Sequence, residues 1–241
     1  MTKKEAKEFI AKYFDAFAFE NGFKPYTKKK GDIDFLYIRG HEFGRDTISI
    51  SMYNYALSHQ IFYHYGKLYN VIENIVELLN DKVKLSPPYS KEQYYTTLNF
   101  GYESLNGLNK PAYLPYVGNE EMVRKCVNEI ISFSVNTAFP LLDKMNNFKF
   151  LDNEINNEDF WESGWQKKYA FAHFNIKRLI IAKLAGNPSF DEIADRNYKA
   201  IEKASEESGY PFTYDRNDLS MPIPCVLDIL KHIEPPACKL G

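Results

Sequence analysis

The sequence predicts an α+β protein with an N-terminal helix, an antiparallel Tyr-rich sheet of about five strands and a helical C-terminal half. Three observations predict it. Apolar residues at helical spacing open the chain, a period of two replaces them between Phe23 and Tyr65, and helical spacing returns from Asn119 onward. Strands and helices are segregated, without the βα alternation of a doubly wound parallel sheet.

The first helix is read from Ala6, Phe9, Ile10, Tyr13, Phe14, Phe17 and Ala18, one apolar stripe stopped by Asn21-Gly22. Strands are expected over 23–28, 33–39, 45–55 and 60–65. Within 45–55, Ile48, Ile50 and Met52 alternate with Thr47, Ser49, Ser51 and Tyr53, the pattern of a strand buried on one face. Leu68 to Leu79 revert to helical spacing, Ser86-Pro87-Pro88 breaks the chain, and 94–102 reads as a fifth strand. Asn119 followed by Glu120-Glu121 is a helix start, since an Asn cap and early acids suit the unpaired amides and dipole there. That helix runs to Phe139-Pro140, where proline should kink or end it. Further helices are read over 167–185, from the capping box Ser189-Phe190-Asp191-Glu192 to about residue 208, and over 221–233. Residues 1–118 are therefore the expected sheet-bearing portion and 119–241 a helical portion packed on it, together one structural unit.

With 241 residues, 44% of them hydrophobic, the chain can bury a sizeable core without disulfides or metals. Thirty basic against 32 acidic residues leave a net charge of -2, which argues against a nucleic-acid partner. A basic run at Lys28, Lys29 and Lys30 is the place such a partner would use. Charges interrupt every apolar run near the N-terminus, and Leu179 to Ala185 is too short to span a bilayer. A cytoplasmic protein with no membrane partner is expected. Cys126, Cys225 and Cys238 lie at no metal-ligand spacing and read as reduced thiols.

Chemistry-bearing residues are sparse. His41, Glu42, Arg45 and Asp46 form the densest cluster of acid/base types, but a strand connection should be polar anyway and no nucleophile accompanies them. His59 and His64 point to opposite faces of one strand, and His173 sits in an apolar helix. Phosphate-binding and nucleophile-elbow motifs are absent, so neither a cofactor nor a metal is expected. The remaining feature is a display of hydroxyls and aromatics. Thr47, Ser49, Ser51, Tyr53 and Tyr55 share a strand face, with Tyr63 and Tyr65 expected near them, and such surfaces suit adaptable recognition. Asp159, Trp161 and Glu162, in an acidic stretch, are a second candidate contact, with Trp161 and Trp165 as anchors or as core.

The opening order, a Lys-rich helix, then Asn21-Gly22-Phe23-Lys24, then Phe35-Leu36-Tyr37-Ile38-Arg39 and Ile48-Ser49-Ile50, resembles a group of uncharacterised bacterial domains. In that group a helix precedes a similar turn and an aromatic-rich sheet, and some members accompany toxins as immunity proteins. The segment from Phe133 to Leu142 resembles a later helix of the group. The resemblance implies a non-enzymatic binding role and carries over no catalytic residue. The sequence thus points to a binding or inhibitory protein, immunity-like, that recognises a protein partner. The alternative is an enzyme or small-ligand binder whose pocket gathers His41, Arg45, His64 and His173.

Overall fold

The computed structural model describes residues 1–27, 33–55, 58–83, 96–102, 105, 116–157, 174–197, 199 and 223–232. They form two compact units. One takes in the described residues within 1–69 and 95–143, the other those within 70–94 and 144–241. The boundary expected after residue 118 falls inside the first unit.

The first unit opens with α1 (Lys3–Glu20), capped by a reciprocal pair in which the Thr2 hydroxyl accepts the Glu5 amide and the Glu5 carboxylate accepts the Thr2 amide. Ala6, Ile10, Phe14 and Ala18 form its buried stripe, and Gly22, at φ 81°, ends it in the left-handed conformation. A five-stranded antiparallel meander follows in the order β1-β2-β3-β4-β5. The strands are β1 (Lys24–Pro25), β2 (Phe35–His41), β3 (Gly44–Tyr55), β4 (Ser58–Tyr69) and β5 (Leu98–Phe100). The α+β class and the order helix, antiparallel sheet, helices are as the sequence predicts.

Register decides which residues reach the core. Ile48 lies opposite Tyr37 on β2 and Tyr65 on β4, and Ile50 lies opposite Phe35 and Tyr63. Ile48, Ile50, Met52, Tyr63 and Tyr65 are therefore on one face, and all are buried. The helix α3 (Glu120–Phe133), whose Asn119 cap accepts the Met122 amide, packs on that face through Phe133 against Tyr63 and Tyr65. On the same face α1 packs through Phe14 against Tyr37. Tyr65 packs on Phe100 and Phe133, and its hydroxyl meets the Ser134 hydroxyl at 2.5 Å and the Ile130 carbonyl at 3.3 Å.

The helix does not end at Phe139-Pro140. Ser134–Ala138 winds as a π turn, in which the Phe139 amide reaches back five residues to Ser134, and α4 (Phe139–Lys144) continues from it. A proline ring crowds the carbonyl four residues before it and offers no amide. The wider turn immediately ahead of Pro140 accommodates both defects, so the path continues.

In the second unit, α2 (Asn70–Val83), α5 (Phe148–Asn156) and α7 (Ile223–Lys231) contact α6 (Phe174–Ala185). Ile176, Leu179, Ile180, Ile181, Ala182 and Leu184 are all buried, which marks α6 as the central helix. It also buries a cation: Lys177 Nζ lies 2.9 Å from Glu73 Oε1 on α2, with both side chains fully inaccessible. A further helical stretch spans 190–197. The helix α5 was not read from the sequence, although Phe148, Leu151 and Ile155 lie at helical spacing behind an Asn147 cap.

Candidate functional site

The hairpin that concentrates acid/base residue types folds into an ion knot. Arg39, Asp46 and Lys67 are directly opposite one another on β2, β3 and β4, so their side chains form one row on the core face. Asp46 Oδ1 accepts Lys67 Nζ at 2.7 Å, and Oδ2 accepts Arg39 Nη2 at 2.8 Å and Nε at 3.2 Å. Arg39 lies over the rings of Phe23 and Phe139, 4.8 and 5.4 Å from their centroids. Burial works to raise the Asp46 carboxyl, but His41, Lys67 and Arg39 outweigh it and hold it at about 2. Burial pushes the Lys67 ammonium below its ordinary value, with the attraction of Asp46 opposing.

His41 is held through Nδ1, while its Nε2 is buried near Asp46 without meeting hydrogen-bond geometry. Its Nδ1 accepts the Phe43 amide at 3.2 Å, which in the neutral ring leaves the hydrogen on Nε2, 3.4 Å from Asp46 Oδ1. A ring so held has no lone pair left for a substrate proton. Lys67 is fully inaccessible, so the knot offers an incoming group little to bind.

The other members of the predicted acid/base set lie elsewhere. Arg45 and His64 belong to the opposite face of the sheet, separated by the Thr47 and Gly66 row and about 13 Å apart along the strands. His64 is exposed and Arg45 half-buried. His173 lies outside the described residues. Cys126 is inaccessible on α3, and burial, then Glu129, push its thiol up to about 12, far from thiolate chemistry. Among the described residues no group of three or more His, Cys, Asp or Glu could hold a metal.

The aromatic display is divided between the two faces. Tyr63 and Tyr65 were expected beside Tyr53 and Tyr55; the register puts them on the core face instead, 7% and 0% exposed, with burial raising both phenols. Tyr53 is on the outer face, 49% exposed, edge-on to Phe62 at 5.0 Å between centroids. Ser49 and Ser51 are half-buried on that face. Tyr55 closes β3, and its side chain lies outside the described residues, as do Asp159, Trp161, Trp165, Glu162 and the lysines at 28–30. Among the described residues no helix is long and apolar enough to cross a membrane.

The second unit holds a polar network that sequence reasoning missed. Asp152, on α5, accepts Asn156 Nδ2 at 2.7 Å and Asn187 Nδ2 at 2.6 Å. Asn156 accepts Arg178 Nε at 2.9 Å, and Arg178 Nη1 reaches Asn197 Oδ1 at 3.4 Å. Asp152, Asn156, Arg178 and Asn197 are all buried. Burial raises the Asp152 carboxyl, with the two amides and Arg178 opposing. A cleft of about 420 Å³ opens over this network, lined by Lys149, Asp152, Asn153, Asn156 and Asn157 of α5 and its end and by residues 185–188 of the following turn. The signal available in the sequence was the i, i+3, i+4, i+7 recurrence of polar residues from Lys149 to Asn156.

No protein-family model, no curated protein and no solved structure matches the chain.

Proposed function

We propose that the chain is a non-enzymatic binding protein that recognises a protein partner through the outer face of β3 and β4. The observation that carries this reading is Tyr53, half-exposed and braced edge-on by Phe62, on a face that also presents Ser49, Ser51 and His64. A rigid aromatic with a free-standing edge and adjacent hydroxyls gives a large contact area at small entropic cost. Against catalysis stands the placement of His41, whose Nδ1 lone pair is taken by the Phe43 amide, away from Arg45 and His64 on the other face. An inhibitory, immunity-like role in the cytoplasm is the form of binding that the resemblance of the N-terminal segment suggests, and Asp159, Trp161 and Glu162 stand as a second contact within it.

The test is site-specific photo-cross-linking in cells that express the chain. Cross-linkers at Tyr53 and His64 are expected to trap the same protein, while one at the exposed Glu121 of α3 does not. Absence of a shared product from the two outer-face positions, or an equal yield from Glu121, would overturn the assignment.

A further inference from the structure

We propose that the cleft above the Asp152 network binds a small uncharged polyhydroxylated ligand of the monosaccharide or polyol class. The site is separate from the outer sheet face, and its chemistry argues against a charged occupant of either sign. The buried Asp152 carboxylate sits in the wall, where it would repel an anion. The Arg178 guanidinium, fully inaccessible and joined to that carboxylate through Asn156, adds a positive charge behind it that opposes a cation. Lys149, at the exposed rim, disfavours a cation further.

What the cleft supplies is carboxamides. Asn153, Asn156, Asn157 and Asn187 line it together with Asp152. A carboxamide carries two N–H donors and an acceptor oxygen, and a carboxylate oxygen accepts more than one hydrogen bond. Asn156 spends its groups on Asp152 and Arg178 and frames the wall, while the exposed Asn153 presents its own to the cleft. Adjacent hydroxyls, each both donor and acceptor, are the groups that pair with such a set. The amide framework is held in place rather than free to adapt. Asn187 donates to Asp152 while its oxygen accepts the Ser189 amide at 2.8 Å, and Asn156 is fixed between Asp152 and Arg178. The turn that carries Asn187 is itself fixed: Gly186 adopts φ 64°, and the Asn187 amide reaches the Ala182 carbonyl at 3.0 Å. The volume is in the range of small-ligand sites. Tying α5 to this turn accounts for Asp152, Asn156 and Asn187, but not for Asn153, which is exposed on the same side of the helix.

The experiment is an NMR titration of the nitrogen-labelled full chain with D-glucose, D-galactose, D-ribose and myo-inositol, read at the side-chain amides of Asn153, Asn156 and Asn187. At least one of the four is expected to give saturable shifts at these amides with Kd on the order of 1 mM, as a few hydrogen bonds in an open cleft allow. Asn153→Ala is expected to weaken binding about tenfold, whereas Asn136→Ala, on the π turn of the other unit, leaves it unchanged. The absence of saturable shifts with all four compounds overturns the proposal. So does saturation by ammonium or phosphate alone, which would mark a charged-ligand site.

Discussion

Asp46 answers three cationic or proton-bearing side chains at once, and nothing else among the described contacts of Lys67 Nζ supplies a carboxylate at 2.7 Å. Asp46→Ala therefore leaves a fully buried ammonium uncompensated. The expected cost is about 3–5 kcal/mol of unfolding free energy, measured by denaturant titration, and a loss below about 1 kcal/mol would contradict the ion-knot reading. The same residue shows where sequence reasoning stops. Arg39, Asp46 and Lys67 are separated along the chain, and only the pairing of three strands puts them in one row. His41 beside carboxylates was legible as a cluster of residue types, whereas its engagement by the Phe43 amide depends on hairpin geometry.

At the scale of the element, β4 is the informative strand. Its residues Ile61 to Tyr65 alternate without a polar face, because Tyr, Phe and His all suit a half-buried strand. In β3 the alternation of Ile with Ser and Thr marks the core face unambiguously, and the structure agrees with it. In β4 the sides become known only through the partner, since Ile48 faces Tyr65 and Ile50 faces Tyr63. The strand also runs on through Gly66 and Lys67 to Tyr69, where helical spacing was read from Leu68. Gly66 is required there: a Cβ at this position would collide with the Thr96 methyl and the Thr47 hydroxyl. Gly66→Ala is expected to cost about 1–3 kcal/mol and to loosen β5, which pairs at Gly66 through Asn99. Adding Thr96→Ser should recover part of that loss in the same thermal-melt assay; no recovery would show that the Thr96 methyl is not the obstacle.

At the scale of the molecule, the buried aspartates among the described residues are shifted in opposite directions in the two units. In the first unit, burial raises Asp34 and Asp46, but Lys7, the Met52 amide and Lys3 around one, and His41, Lys67 and Arg39 around the other, outweigh it and lower both. Their stabilisation is present above the ordinary aspartate value of 3.8, and that of Asp46 is lost as pH falls from there through about 2. Asp152, raised by burial, has the reverse sign: its contribution is present below the ordinary value and is lost as pH rises through its own. Carboxyl-carbon NMR should give midpoints for Asp34 and Asp46 below that of a free aspartate and for Asp152 above it. An Asp152 midpoint below that of Asp46 would contradict the network described.

The recognition reading depends on the division of the aromatic display between two faces, and tyrosine nitration of the native chain, followed by peptide mass spectrometry, tests that division directly. The account predicts rapid nitration of Tyr53 and protection of Tyr37, Tyr63, Tyr65 and Tyr69, all of them buried. Nitration of Tyr63 or Tyr65 as fast as Tyr53 in the folded protein would contradict it.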